Sequence, residues 1–247
     1  HKEYRRQRQM CIRDRCEEIA AEHNGLEKIT SWRPDLIDGD FAILMEPTDG
    51  RVEGGCQGTM RFTLEVPGRA AHSARSWIGH NAIHDLSAVL ERLNRWQERD
   101  PFVEVDGLTF REGLNATMLD AGVAGNVIPP TATIQINYRF APDKTTEQAR
   151  QYMEDLFHEW PMNVLDLSAP ARPGLDRPLA KSFVAAVGGE PGPKYGWTDV
   201  ARFGQLGIPA VNFGPGNALC AHQVDECCRL GSLDECYRAL HTWLASR

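Results

Sequence analysis

The sequence predicts an α/β chain in which a split α/β domain carries an inserted ferredoxin-like α+β domain. Three observations predict it. The continuous apolar run Phe41–Met45 has the length of a strand buried on both faces, as in a parallel sheet. Between about 54 and 167 the periods follow the order strand–helix–strand–strand–helix–strand, which is the split βαβ arrangement. After the Pro-rich stretch Ala169–Gly174 the α/β texture resumes.

Each element has its own signal. Residues 16–30 read as a loop entering a helix, with Asn24-Gly25 as the break. Phe41–Met45 ends in Glu46-Pro47-Thr48-Asp49-Gly50, and a carboxylate at such a strand end stands where α/β sheets place ligand groups. Thr59–Val66 alternates apolar and polar, so it reads as a strand with one solvated face. Ile83, Leu86, Val89, Leu90 and Leu93 recur at helical spacing within 80–97. Leu114–Leu119 and Thr131–Phe140 are strands, 145–159 a helix, and Asn163–Leu167 a closing strand. Leu179–Val187 and Ala201–Leu206 read as helices, Ala210–Phe213 as a strand, and Leu233–Ala245 as the last helix. Trp and Leu positions on these helices read as core. The domains expected are 16–53 with 168–247 (α/β) and 54–167 (inserted), after a non-native or disordered segment, 1–15.

Composition narrows the function. The chain has 247 residues, 42% of them apolar, which suffices for a sizeable core in one large or two modest domains. The net charge is −7, which argues against a dedicated nucleic-acid binder. The first fifteen residues hold six basic residues against Glu3 and Asp14, so a basic arm that grips an acidic partner is one reading of them. Met10–Arg15 also resembles translated sequencing-adapter read-through, which places the expected biological start near Cys16 with an upstream part missing. No apolar run approaches the roughly 18 residues that span a bilayer, and no signal-peptide core is visible. Seven cysteines without small-domain spacing do not read as a disulfide framework, and the compartment expected is the cytoplasm.

Carboxylates and imidazoles delivered from several strand ends suit a metal hydrolase, because paired metals polarise a carbonyl and activate water. The candidates are Glu17-Glu18, Glu46 and His222, each beside a turn. Taken singly, each reads first as a surface or structural residue. Cys220, His222, Cys227 and Cys228 could form a structural zinc site but lack a Cys-x-x-Cys pair. No Gly-x-Ser-x-Gly nucleophile elbow and no phosphate loop is present.

Taken together, the motifs resemble the M20 metallopeptidase and deacylase family. Cys16-Glu17-Glu18 with Asn24-Gly25-Leu26 is similar to its Glu-Glu motif, and Leu44-Met45-Glu46-Pro47-Thr48 to its next metal-ligand strand. Gly68–Ser73 with Gly79–Ile83 resembles the start of its dimerisation lid, and Gly125–Pro129 with Asn137–Phe140 its lid strands. Trp197-Thr198-Asp199, Phe213–Gly216 and Ala221-His222 resemble its C-terminal segments. The resemblance runs from about Cys16 to the end and is strongest to the branch that removes succinyl groups.

The resemblance implies a split zinc-hydrolase α/β domain, incomplete at its N-terminus, with the inserted domain as lid and dimerisation domain. It implies that Glu17 is the general base, that Glu18 and His222 hold one zinc, and that Glu46 holds the other, with cobalt able to substitute. His72 would reach the neighbouring subunit's site as an oxyanion donor, so a homodimer would be part of the mechanism; the pairing expected uses the strand and helix around 59–97. Asn126 and Arg139 on the lid, and Thr198 and Asn217 on the catalytic domain, would grip a dicarboxylate substrate; Arg75 and Arg202 are further cations of that kind. The reaction implied is hydrolysis of N-succinyl-LL-2,6-diaminopimelate to succinate and LL-2,6-diaminopimelate, in lysine and cell-wall precursor synthesis.

The pattern departs in two places. The family's His-x-Asp motif and bridging Asp have no counterpart in residues 1–15, so the chain as given is expected to be inactive. Cys227-Cys228-Arg229 stands where a His and apolar residues are expected. The rivals are another deacylase of the family, such as one acting on acetylornithine, and a non-catalytic dimerisation protein. A basic-armed nucleic-acid binder is a third, while membrane association is not expected.

Overall fold

The structure, a computed structural model, describes residues 24–220, 223, 224 and 226–246. In chain order the elements open with α1 (Gly25–Trp32), β1 (Ala42–Leu44), β2 (Glu53–Gly54), β3 (Gly58–Pro67) and β4 (Ala71–His72). Next come α2 (Ala82–Gln97), β5 (Phe102–Val105), β6 (Leu108–Arg111), β7 (Gly113–Ala121), β8 (Val127–Ile128) and β9 (Thr131–Phe140). They close with α3 (Thr146–Leu156), β10 (Met162–Ser168), α4 (Pro178–Val187), β11 (Gly192–Pro193), α5 (Val200–Gln205), β12 (Ala210–Asn212) and α6 (Leu230–Ala245). The chain divides into two units, Cys56–Arg172 with Tyr195–Trp197, and the remainder.

In the first unit, period-2 alternation builds an antiparallel sheet in the order β10-β3-β9-β7. Taken in chain order, its strands lie fourth, first, third, second, as the ferredoxin-like reading requires. Met60, Phe62, Leu64 and Val66 from β3, with Ala132, Ile134, Ile136, Tyr138 and Phe140 from β9, point to one face and are buried. The residues between them, Arg61, Thr63, Gln135, Asn137 and Arg139 among them, form the polar face. Helix α2 covers the apolar face with Ala82, Leu86, Val89, Leu93 and Trp96, at three- and four-residue spacing. Burial of each large side chain contributes about 1.5–3 kcal/mol. Helix α3 opens on a capping box, Thr145 with Gln148, which satisfies two otherwise orphaned backbone donors.

A buried carboxylate ties this unit together. Glu112 is 1% exposed at its side chain and accepts from Arg99, from Lys144 Nζ (3.1 Å), from Tyr138 Oη (3.2 Å) and from the Ala141 N–H (3.0 Å). Arg99 in turn stacks over Trp96. Burial, and then the neighbouring Glu112 charge, pushes the Tyr138 phenol far above its ordinary range.

In the second unit the sheet order is β1-β12-β2-β11, with β1 parallel to β12 and β2 parallel to β11. Its core holds Val52, Phe183, Val211, Phe213, Cys236 and Trp243. Phe183 meets Phe213 edge-on at 5.2 Å and Trp243 at 5.1 Å, and Trp243 Nε1 donates to Ser182 Oγ (3.0 Å), joining α6 to α4. No helix among the described residues is long and apolar enough to cross a membrane.

The structure corrects several expectations. Strand β1 is only half-buried, because among the described strands β12 is its one neighbour. The helix expected to follow the Asn24-Gly25 break does begin at Gly25, and the Asn24 side chain caps it by accepting from the Glu27 N–H (2.9 Å). Not every helical Leu is core, since Leu90 is 44%, Leu233 47% and Leu244 61% exposed. Helix α6 begins three residues early, at Leu230. The β5–β6 hairpin was not foreseen, although Asp106-Gly107, at φ 50° and 81°, is the turn pair such hairpins favour. Finally, β3 lies between β10 and β9, so it has no edge for a second copy; β7 does.

Candidate functional site

The parallel pair β1 and β12 ends on one side, with Leu44 in register with Asn212 and the Phe213 N–H donating to the Leu44 carbonyl (2.8 Å). Ligands of open α/β sheets bind outside such carboxyl ends. The two chain segments leaving there touch closely. A Cβ at position 214 would stand 2.5 Å from the Glu46 carbonyl oxygen and 2.9 Å from two Met45 backbone atoms, so glycine is required. Thr48, 5% exposed, then laces the segments. Its hydroxyl accepts from the Gly214 N–H (3.1 Å) and donates to the Arg51 carbonyl (2.6 Å), while the Asp49 N–H donates to the Gly216 carbonyl (2.7 Å).

This places half-buried Glu46 next to Pro47, and Pro47 lines a cavity of about 550 Å³. Pro47, Pro215, Gly216, Asn217, Glu226, Cys227 and Cys228 line it. Asn217 is exposed, and its Oδ1 accepts from the Leu219 N–H (2.8 Å), which leads the chain into a 3-10 turn at Ala218–Cys220. Its amide nitrogen is the donor that it could offer a ligand. Thr198 is 6% exposed, and its hydroxyl donates to Asn212 Oδ1 (2.9 Å), so toward a ligand it offers acceptor lone pairs. Arg202 forms ion pairs with Asp199 (2.9 Å) and Glu27 (3.1 Å), which favours its reading as a structural cation.

The other unit carries His72, Asn126 and Arg139. Strands β4 and β8 pair antiparallel, His72 against Val127, and the Ser73 N–H donates to the Asn126 carbonyl (2.9 Å). His72 and Asn126 are thereby brought together on an exposed surface. Gly68 permits the close approach at this point: a Cβ there would lie 2.6 Å from the His80 carbonyl oxygen and 2.9 Å from the Pro129 carbonyl oxygen. The Ala74 N–H donates to His72 Nδ1 (3.1 Å). With Nδ1 accepting, the imidazole proton sits on Nε2, which therefore points a donor outward. Arg139 stands on the polar sheet face, where its Nε donates to Asn137 Oδ1 (3.0 Å) and Asn137 Nδ2 to Thr59 Oγ1 (3.2 Å). Arg75 is exposed in the 3-10 segment Ser73–Ile78.

Glu17, Glu18 and His222 lie outside the described residues, as does the basic arm. Among the described residues no group of three His, Cys, Asp or Glu side chains is placed to hold a metal ion. Glu46 alone of the expected ligands is described, and a half-buried carboxylate at a parallel strand end beside a cavity suits a hard or borderline divalent ion. On that donor chemistry Glu46 fits as one ligand of the divalent metal that the resemblance implies.

Three residues of the site were given no role of their own by sequence reasoning. Thr48 and Gly214 act through a contact 166 residues apart, which no local pattern reveals. Lys194 is 9% exposed at its side chain and bridges Glu53 (3.0 Å) to the Pro47 carbonyl (3.4 Å), holding the loop behind Glu46. Its signal was weak: a lone Lys among Gly and Pro.

Residues 55–159 match the family described as the peptidase dimerisation domain, M20_dimer. The chain is 50% identical over 231 residues to a Mycobacterium tuberculosis protein provisionally named succinyl-diaminopimelate desuccinylase DapE, covering 93% of this chain and 65% of that one. It is 40% identical over 238 residues to the succinyl-diaminopimelate desuccinylase of Corynebacterium glutamicum, covering 93% and 63%. The chain therefore spans less than two-thirds of the length of these relatives. Among solved structures, a tripeptidase from Staphylococcus aureus aligns with TM-score 0.65 at 19% identity, over 85% of this chain and 58% of that one. An M20 family metallo-carboxypeptidase, Sso-CP2 from Sulfolobus solfataricus, aligns with TM-score 0.63 at 17% identity, over 88% and 65%. At those identities the structures speak to fold alone; the sequence matches show a peptidase dimerisation domain of the M20 type at 55–159 and a chain-wide similarity to succinyl-diaminopimelate desuccinylases.

Proposed function

We propose that this chain is the metal-binding and substrate-binding part of an amide hydrolase that releases succinate from N-succinyl-LL-2,6-diaminopimelate. The observation that carries the reading is the meeting of Glu46 and the Gly214–Asn217 segment at the carboxyl ends of β1 and β12, beside a cavity. The 40% identity to a named desuccinylase supports the substrate.

The roles follow from the donors. Glu18, Glu46 and His222 would hold divalent metal, most suitably two zinc ions, and the metal when bound would supply electrophilic activation of the amide carbonyl and of water. Glu17, free of metal, would take the proton from the attacking water and deliver it to the departing amine. His72 would donate from Nε2 to the developing oxyanion; such a donor is typically worth about 10²–10³ in rate. Arg139 would pair with a carboxylate of the substrate, and Asn126 and Asn217 would donate to its polar groups. Thr198, whose hydroxyl proton goes to Asn212, would offer the substrate an acceptor lone pair.

The dimer would form through β7 and α2. The β7 edge carries Met118 (66% exposed) and Leu119 (60%), and α2 adds Ile83 (42%) and Leu90 (44%). An unpaired strand edge with apolar flanks is a ready template for a second copy.

Two measurements test the reading. Codons upstream of Cys16 should encode His-x-Asp and a further Asp, and the polypeptide they complete should bind zinc and cleave the succinyl substrate in preference to N-acetylornithine. Preference for acetylornithine would make it a different deacylase of the family. The 247-residue chain, with three of the five ligands expected from the resemblance, should show only background turnover. A source frame that lacks those upstream ligands would favour a non-catalytic dimerisation protein, a reading that the exposed β7 edge also suits.

A further inference from the structure

The cysteines of the described residues fall into distinct environments. Cys56 and Cys236 are buried, Cys220 is half-buried, and Cys227 and Cys228 are exposed. Burial pushes the Cys236 thiol up, so it is a poor nucleophile. Cys227 and Cys228 are adjacent, and both line the cavity beside Gly216 and Asn217. The Cys228 sulfur lies 3.4 Å from Ser232 Oγ and 3.8 Å from where a Cβ on Gly216 would stand. It is therefore held against the cavity wall.

From this juxtaposition of two exposed thiols and one confined space we propose that Cys227 and Cys228 form a thiol-modification site, taking a small molecular disulfide and closing the cavity with the adduct. The step balances. A cysteine thiolate attacks one sulfur of the small disulfide, the old S–S bond breaks, and one thiolate leaves with its electron pair. A mixed disulfide remains on the protein, and the net oxidation is supplied by the reagent.

The adduct persists for a geometric reason. Cα atoms joined by a trans peptide are about 3.8 Å apart, below the roughly 4.4–6.8 Å that disulfides usually span. Attack by the second cysteine on the first adduct is therefore disfavoured. One bulky group beside Pro47 and Asn217 also leaves little room for another. A modified chain would have its cavity filled whatever ligand that cavity otherwise takes.

The test uses the folded 247-residue chain with excess glutathione disulfide, acid quenching and peptide mass mapping without reduction. One glutathione on the peptide holding Cys227 and Cys228 is expected. Labelling there should be at least several-fold faster than at Cys220, with none at Cys56 or Cys236 until urea is added. Methyl methanethiosulfonate, whose methylthio group is small, should place two groups on the same peptide. The single variants Cys227→Ser and Cys228→Ser should each retain one adduct, and the double variant none. Several outcomes would overturn the proposal: two glutathiones on that peptide, loss of two hydrogens without an adduct, no adduct, or faster labelling elsewhere. Mapping by peptide keeps Cys11 and Cys16 out of the count. None of these readouts depends on metal or on turnover, so they stand or fall separately from the desuccinylase reading.

Discussion

Gly214→Ala is the substitution that most directly tests how Glu46 is positioned. The added methyl would sit 2.5 Å from the Glu46 carbonyl oxygen and 2.9 Å from the Met45 carbonyl carbon and oxygen. All three are backbone atoms, so no rotamer relieves the contact. Ordinary contact begins near 3.4 Å, so the two strand ends must part by nearly an ångström. Overpacking of this kind costs about 1–3 kcal/mol. The parting also stretches the Phe213–Leu44 and Gly214–Thr48 hydrogen bonds, each worth about 1 kcal/mol net. A loss of roughly 2–4 kcal/mol follows, read as a lower urea midpoint by tryptophan fluorescence. Gly231→Ala is the control: it lies in α6, with nothing within 4 Å of the new methyl and no positive φ. It should stabilise by about 0.5–1 kcal/mol through helix propensity and the unfolded chain. If Gly214→Ala unfolds within 0.5 kcal/mol of the parent, the close approach at Glu46 is not a constraint and the reasoning fails.

Other predictions concern the dimerisation unit. Glu112→Ala should cost about 2–4 kcal/mol, below the usual penalty for splitting a buried pair, because Arg99 and Lys144 stay partly exposed at 34% and 24%; Glu112→Gln should cost less in the same urea titration. Because the folded Tyr138 phenol is raised, its contribution is complete below the unfolded value near 10 and is lost as the pH rises above it. The parent should lose up to ~1.4 kcal/mol per pH unit above that point from this residue, and Tyr138→Phe should lack that share of the slope. Leu119→Lys, on the exposed β7 edge, should weaken self-association at least tenfold in sedimentation experiments while leaving the thermal midpoint nearly unchanged.

Much of the fold was legible because local periods and burial agree. Thr131–Phe140 alternates, and in the structure every second residue from Ala132 to Phe140 is buried. Helix α2 was legible from Leu86, Val89 and Leu93. What the period cannot say is how wide the covered stripe is. Leu90 carries the same apolar signal as Leu93 but points away from the sheet, where only another surface could cover it. Sheet neighbours were equally hidden. Nothing in Thr59–Val66 marks it as interior and nothing in Leu114–Leu119 marks it as an edge, since that follows from which strands return to flank them.

The candidate site was legible in a different way. Glu46 was marked by position, as a carboxylate ending an apolar run. His72 and Asn126 carry no local mark; the register of β4 on β8 joins them, and their roles entered through resemblance to a family. What fixes both clusters is the absence of a side chain. Gly214 lets one strand end touch the backbone at Glu46, and Gly68 lets the His72 segment reach the loop before β9. A glycine in sequence reads as a turn, whereas here it reports a backbone approach from more than sixty residues away at Gly68 and more than a hundred and sixty at Gly214. That is why the chemistry of the site could be named from residue types, while the geometry that holds it could not.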